Sequence, residues 1–227
     1  MSNKIFEEQL NKLNEAQLDA VTEIYCDPLV WMREGWLDYL SPQLYWRISP
    51  RKQSYSALLE WWREQGSRPV WPGIATTRIQ SSEDPGRPAS EIINQIDLSR
   101  KIGSNWVGHI HWSVKGLMKN QGGISTQLSK TYTQPVATPP MPWISKTPPQ
   151  NPTASASVSG NKTSVRWATG NTTSKVAIQA RNGGNWRTVA IVPAGLRTIE
   201  IPRADAIAIS ALDRTGNASP PKTLGLR

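Results

Sequence analysis

Histidines, cysteines and facing carboxylates are the side chains most often recruited for catalysis or metal binding, and this 227-residue chain holds few arrangements of them. His109 and His111 are its only histidines, and Cys26 is its only cysteine. The spacing His109-x-His111 would set two imidazoles on one face of a strand. No third ligand lies nearby, so the expectation is two ordinary strand residues and no metal site. A lone cysteine cannot close an internal disulfide. Glu83 and Asp84, in the loop SSEDPGRP, are the best placed acids, but adjacent side chains tend to diverge, and a solvated loop is the preferred reading. No Gly-x-x-x-x-Gly-Lys-Ser/Thr loop is present to cradle a nucleotide phosphate, and no cofactor is expected. What stands out is eleven tryptophans against a single phenylalanine. Trp offers a flat apolar face that suits sugar rings, but it also fills cores and interfaces. The core reading is preferred for most of them.

The elements that would position these residues alternate along the middle of the chain. Residues 3–25 read as an amphipathic helix, with Phe6, Leu10, Leu13, Leu18, Val21 and Ile24 at roughly helical spacing. Asp27-Pro28 marks a new start, because Pro28 suits a helix opening and disfavours helix in the residue before it. Leu29–Leu37 looks helical, and Tyr39–Ile48 reads as a buried strand. Tyr55–Gln65 is an amphipathic helix. A strand follows near Gly73–Thr77, then a helix over Ser90–Gly103 and a strand over Val107–Val114. Strands alternating with helices of about 10–15 residues indicate parallel β/α units.

Residues 133–152 hold seven prolines and read as an extended linker. Beyond them the pattern becomes all-β. Strand-like runs occur at Ser164–Ala168, Lys175–Ala180, Arg187–Val192, Arg197–Ile201 and Ala206–Ala211, separated by Gly/Asn turns, as in a β-sandwich. The net charge of +9 is uneven. Residues 1–30 hold two basic and six acidic side chains, residues 31–150 fourteen and eight, and residues 151–227 ten and three. A basic excess could favour an anionic polymer. The tail's basic residues are scattered singly, so a solvated surface is preferred and no nucleic-acid partner is expected. No stretch approaches the ~20 apolar residues of a membrane helix.

The stretch from Trp31 to Gly123 resembles the C-terminal part of the bacterial glycosyl hydrolase-like 10 family. The residues that carry the likeness are WMREGWLDYLSPQLYWRI, QSYSALLEWW, VWPGIATTRI, EIINQIDLSR and GHIHWSVKGLMKN. Their order and spacing match that family's last three β/α units. The tail, ending ISALDRTGNASPP, is similar to the fibronectin-type sandwich often appended to such barrels. The fold class expected is therefore α/β plus all-β: a partial (β/α)8 barrel over 27–132, the Pro-rich linker over 133–152, and a small fibronectin-type III-like sandwich over 153–227. Residues 1–26 form a helix foreign to the barrel. The sequence LNEAQLDAV within it resembles the opening of superfamily-one DNA helicases, where Gln17 would contact adenine; a generic amphipathic helix is the alternative.

The resemblance implies an exported hydrolase of bacterial glycan, with peptidoglycan strands as one substrate. The opening residues contain no signal-peptide core, so the chain as written would stay in the cytoplasm. In a closed barrel the site lies at the C-terminal ends of the strands. Carried over, the residues on that face are Gln43, Tyr45 and Trp46; Thr76, Thr77 and Arg78; and His111, Trp112 and Ser113. Trp46 and Trp112 would stack on sugar rings, while Gln43, Tyr45 and Arg78 would hydrogen-bond hydroxyls or a carboxylate. Strand alternation sends only about half of such residues inward, so barrel packing stands beside ligand contact for each. The family's Asp-Asp-Tyr type motif is absent, which leaves the catalytic residues unassigned, since glycoside hydrolysis normally needs two carboxyl groups flanking the bond. A barrel also needs eight strands and about 250 residues. Three units leave open sheet edges, and these would invite self-association. The expectation is a hydrolase fragment inactive by itself; the alternative is a non-catalytic glycan-binding or protein-interaction module.

Overall fold

A computed structural model of the chain describes residues 21–49, 54–102 and 108–226. Gln17 and most of the N-terminal helix expected over 3–25 lie outside the described residues; residues 21–24 are helical. The chain divides into two compact units, Met1–Thr131 and Tyr132–Arg227.

The first unit mixes short parallel strands with helices. Its opening helix, Pro28–Arg33, starts as the Asp27-Pro28 signal implies: the Asp27 carboxylate accepts from the Val30 N–H at 3.0 Å, and Pro28 sits where no N–H is needed. It ends at Arg33, earlier than the expected Leu37. The strand expected over Tyr39–Ile48 is reduced to isolated parallel bridges, Leu40 to Val70 and Gln43 to Gly73. The reason is Pro42, which cannot donate to a ladder; its carbonyl instead accepts from both Leu44 and Gly73 N–H. Strand β1 (Gly73–Ala75) pairs in parallel with β2 (Ile110–Trp112), in the register Gly73–Ile110, Ile74–His111 and Ala75–Trp112. Side by side, then, lie the 40–43 segment, β1 and β2. β1 gives way to a 3-10 turn at Thr76–Arg78, where a longer strand was expected.

Helices cover one face of this small sheet. The Tyr55–Glu64 helix buries Tyr55, Leu58 and Leu59, at the i, i+3, i+4 spacing of one helix face. The Ala89–Ile102 helix buries Ile92 and Ile96. These side chains share a core with Ile74, Ile79, Leu44 and Met32, and with Ile124 and Leu128 of the Ile124–Thr131 helix. Between the two long helices the Tyr55 hydroxyl and the Ser99 hydroxyl lie 2.8 Å apart, and Ser99 also donates to the Gln95 carbonyl. At the N-terminal end of the sheet Tyr39 and Trp71 stack with ring centroids 4.2 Å apart. A Cβ on Gly108 would fall 2.7 Å from the Trp71 ring, so the backbone there requires glycine.

The second unit is built from two antiparallel sheets. One has the order β3 (Thr153–Ser159), β4 (Lys162–Ala168), β7 (Thr198–Pro202); the other has β6 (Asn185–Pro193), β5 (Lys175–Asn182), β8 (Ala206–Leu212), β9 (Lys222–Gly225). Alternation sets their inner faces. In β4, Thr163, Val165 and Trp167 are buried while Lys162, Arg166 and Ala168 are exposed. Val165, Trp167 and Ile201 from one sheet meet Val176, Ile178, Ile207 and Ile209 from the other in a single core. The Trp167 indole N–H donates to the Ala194 carbonyl at 3.2 Å, so even this polar edge is satisfied. The loop Gly183-Gly184 joins β5 to β6, with Gly183 at φ +62°, the positive value that such tight hairpins require.

The linker expected over 133–152 belongs to this second unit and is held against it. Gln134 Oε1 accepts from the Thr188 N–H at 2.9 Å, the Met141 N–H donates to the Thr215 carbonyl at 2.8 Å, and Asn217 Nδ2 donates to the Ser145 carbonyl at 3.0 Å. The turn that receives it is organised by Asp213, whose Oδ1 accepts from the Thr215 and Asn217 N–H groups at 2.8 and 2.9 Å. Burial alone would raise the Asp213 pKa, but these bonds together bring it below the ordinary value. Gly216, at φ +85°, lets the strap approach: a Cβ there would lie 2.6 Å from the Pro139 carbonyl.

Candidate functional site

The C-terminal ends of the three parallel segments gather most of the residues expected at a site. Registered neighbours in a parallel pair point to the same face, and successive residues point to opposite faces. Ile74 faces the helices and is fully buried. Its partner His111 therefore faces them too. Gln43, Gly73 and Ile110 share the opposite face, as do Ala75 and Trp112. On this open face Trp112 is 57% exposed, Ile110 37% and Trp46 36%. The structure thus sets Trp112 and His111 on different sides of β2. His111 lies instead beside His109, with ring centroids 5.1 Å apart. Burial pushes both imidazoles toward the neutral form; His109, with His111 and Arg100 adding to the effect, is pushed down to about 4. Among the described residues no group of three or more His, Cys, Asp or Glu side chains is arranged to hold a metal ion. Nor is any helix there long and apolar enough to cross a membrane.

Tyr45 and Arg78 are joined. A Cβ on Gly73 would lie 3.5 Å from the Tyr45 ring, so the ring rests against the glycine backbone of β1. The Arg78 guanidinium lies 5.6 Å from the same ring's centroid, donates to the Tyr45 carbonyl at 3.2 Å and pairs with Glu83 at 3.0 Å. Burial raises the Tyr45 pKa, partly offset by Arg78. Thr76 and Thr77, following β1, tie down the segment following β2. The Thr76 hydroxyl donates to the Ser113 carbonyl at 3.1 Å, and the Thr77 hydroxyl to the Trp112 carbonyl at 3.4 Å. Thr76 is fully buried and so holds the backbone beneath Trp112. The Trp112–Ser113 peptide bond is cis.

The loop carrying Tyr45 and Trp46 is held by residues that sequence reading passed over. Arg87, only 2% exposed, donates to the Tyr45 carbonyl at 2.7 Å and to Asp84 at 2.8 Å. Arg47 grips the same Asp84 carboxylate through two of its nitrogens. Gln95, fully buried, donates to the Trp46 carbonyl at 2.8 Å, and Glu91 accepts from the Ile48 N–H at 2.7 Å. The solvated loop expected for SSEDPGRP describes Glu83, whose side chain is 68% exposed, but not Asp84, at 19%. The bond from Arg47, helped by Arg87, holds the Asp84 carboxyl below its usual range despite some burial. Asp84 is thereby committed to two guanidinium groups and not disposed to transfer protons. The one available signal was the i, i+4 spacing of Glu91 and Gln95, which puts two polar side chains on a single flank of the Ala89–Ile102 helix.

With this geometry in view, the chain can be compared with known proteins. It is 37% identical over 135 residues to the glycosyl hydrolase YngK of Bacillus subtilis, covering 57% of this chain and 26% of that protein. It is 40% identical over 45 residues to the glycosyl hydrolase DigH of Escherichia coli K12, covering 20% of this chain and 10% of the other. The chain therefore spans about a quarter of the first relative's length and a tenth of the second's. No family model matches it. Among solved structures, the spore cortex lytic enzyme SleM of Clostridium perfringens covers 76% of this chain and 74% of its own, at 14% identity and a TM-score of 0.32. A Fn3-like protein of Clostridium thermocellum covers 36% and 96%, at 16% identity and a TM-score of 0.28.

Proposed function

We propose that the first unit is one wall of a glycan-hydrolase site, corresponding to the last three β/α units of a (β/α)8 barrel, and that it contacts glycan without cleaving it. The second unit is, on this reading, a fibronectin-type III-like module appended to the barrel. The observation that carries the proposal is the open face: Trp112 and Trp46 are exposed beside a Tyr45–Arg78 pair, all at the C-terminal ends of parallel strands. Likeness over 135 residues to a protein named as a glycosyl hydrolase supports the glycan assignment. The two Trp rings offer stacking surfaces, while Gln43 and Arg78 offer hydrogen bonds to hydroxyls or a carboxylate. His111, on the helix side, supports the sheet rather than the ligand.

Cleavage needs an acid and a second carboxylate across the bond. At this end of the sheet Asp84 is held between arginines and Glu83 is paired with Arg78. The reading therefore assigns catalysis to segments of a longer protein, and binding to this one. Peptidoglycan glycan strands are the substrate class proposed. The open edges flanking the 40–43 segment and β2 are also the proposed route to self-association. Incubation of the purified chain with peptide-free glycan strands should release no new reducing ends. Release that is lost in Glu83→Gln or Asp84→Asn would overturn the proposal.

A further inference from the structure

The second unit carries its own feature that the reading of the first does not use. Residues 132–227 hold eleven basic and three acidic side chains, a net of +8, so nearly all of the chain's excess charge resides there. On the sheet β6-β5-β8-β9, Val176, Ile178 and Ala180 point into the core, so Gln179 and Arg181 point outward. Register pairs Arg181 with Trp186 and Gln179 with Thr188 across β6. The Arg181 guanidinium lies 5.5 Å from the Trp186 ring centroid, within cation–π range, and Trp186 remains 39% exposed. A β-bulge between these rungs and the rest of β6 sets this corner of the sheet apart, and bulges commonly re-aim side chains next to sites.

Arg181 is not consumed by the fold. Its Nε is buried without a hydrogen-bond partner among the described residues. The nearby Asp205 carboxylate accepts from the Gly183 N–H at 2.8 Å, which commits it to the hairpin backbone. A buried donor left unmatched is costly, and a ligand that supplies an acceptor would relieve it. The corner thus presents a flat aromatic surface, a cation beside it, and an amide with a hydroxyl one rung further on.

We infer that Trp186, Arg181, Gln179 and Thr188 form a binding site for a carboxylated sugar. The ring would stack on Trp186, the carboxylate would pair with Arg181, and the hydroxyls would meet Gln179 and Thr188. Nucleic acid fits less well: a phosphate backbone is tracked by a stripe of basic residues with several stacking platforms, and this face has one aromatic and one outward arginine at the corner. The site is independent of the proposed function of the first unit.

The test is titration of the full chain with tetragalacturonate, its fully methyl-esterified counterpart and an oligothymidylate of similar length, at one ionic strength. Tetragalacturonate should bind saturably, and both Trp186→Ala and Arg181→Gln should weaken it by about fivefold or more, the factor expected from losing one stacking or charge-assisted contact. Trp186→Phe should retain most of the affinity, the neutral ester should bind as weakly as Arg181→Gln, and Trp112→Ala should leave the affinity unchanged. Unaltered melting of the exposed-site variants would exclude misfolding. Equal affinity in Trp186→Ala, absence of saturable binding at about 10 mM ligand (a dissociation free energy below roughly 3 kcal/mol), or tighter binding of the oligothymidylate would each overturn the inference.

Discussion

The two units of this chain solve the same problem in opposite ways. A sheet has two faces, and each must be covered or kept wet. In the second unit one sheet covers the other: Val165 and Trp167 meet Ile178 and Ile209, and the inner faces are closed. In the first unit helices cover only the Ile74 side, while Ile110 and Trp112 stay exposed on the other. The second unit has a complete core of its own. The first holds its open face in shape through polar ties, chiefly Arg47–Asp84–Arg87 and the Gln95 and Glu91 bonds to the 46–48 backbone. The lesson is that a face left open for a partner or ligand needs its loops fixed from behind.

Several changes would break or sharpen that contrast, the largest first. Asp84→Ala removes the only carboxylate paired with the buried Arg87, and leaving such a charge uncompensated should destabilise the first unit by about 3–5 kcal/mol. The second unit's transition should not move in the same denaturation experiment. Ile178→Ala, at the centre of the sandwich, should cost the second unit about 2–5 kcal/mol and spare the first. Two separable transitions, each shifted by only one variant, would establish the independence of the units; a joint shift would refute it.

Acidification should separate them more gently. A histidine held neutral in the fold, with its pKa lowered to about 4, contributes full stability above its unfolded pKa of roughly 6.5. Below that pH the unfolded chain binds the proton first, so stability falls until the folded pKa is passed. Asp84, with its pKa lowered, adds a further loss once pH drops below about 4. The second unit's lowered group, Asp213, titrates only in that lower range. Thermal melts at pH 7 and pH 5 should therefore show a decline in the first unit alone, and His109→Gln should flatten it. The smallest stability effect belongs to Trp112→Ala, an exposed site where a change within about 0.5 kcal/mol is expected.

Much of this arrangement was legible in the sequence, for reasons that differ between elements. Tyr55, Leu58 and Leu59 announce their helix through spacing, and β5 and β8 through dense β-branched runs. β3 was not anticipated because TASASVS alternates small residues with serines, which gives almost no hydropathy contrast. The 39–48 strand was overcalled because its apolar residues conceal the effect of Pro42 on the ladder. At the site, Trp46, Tyr45, Arg78 and Trp112 were brought to one end of the sheet as the resemblance implied, but alternation puts His111 on the other side. The role of Asp84 was hidden because its partners Arg47 and Arg87 reach it from 37 and 3 residues away, and a pairing across that distance leaves no local pattern. The strap over 133–152 was read as a spacer because proline content reports extension and not what the segment leans on.

The central claim is that the open face of the first unit engages glycan through its exposed tryptophans. The most direct measurement is calorimetric titration of the full chain with peptide-free peptidoglycan strands, compared with Trp112→Ala and Trp46→Ala. Saturable binding that each substitution weakens by about fivefold or more, with the melting transitions unmoved, is the expected result. Binding of equal strength in both variants, or none in the parent chain, would contradict it.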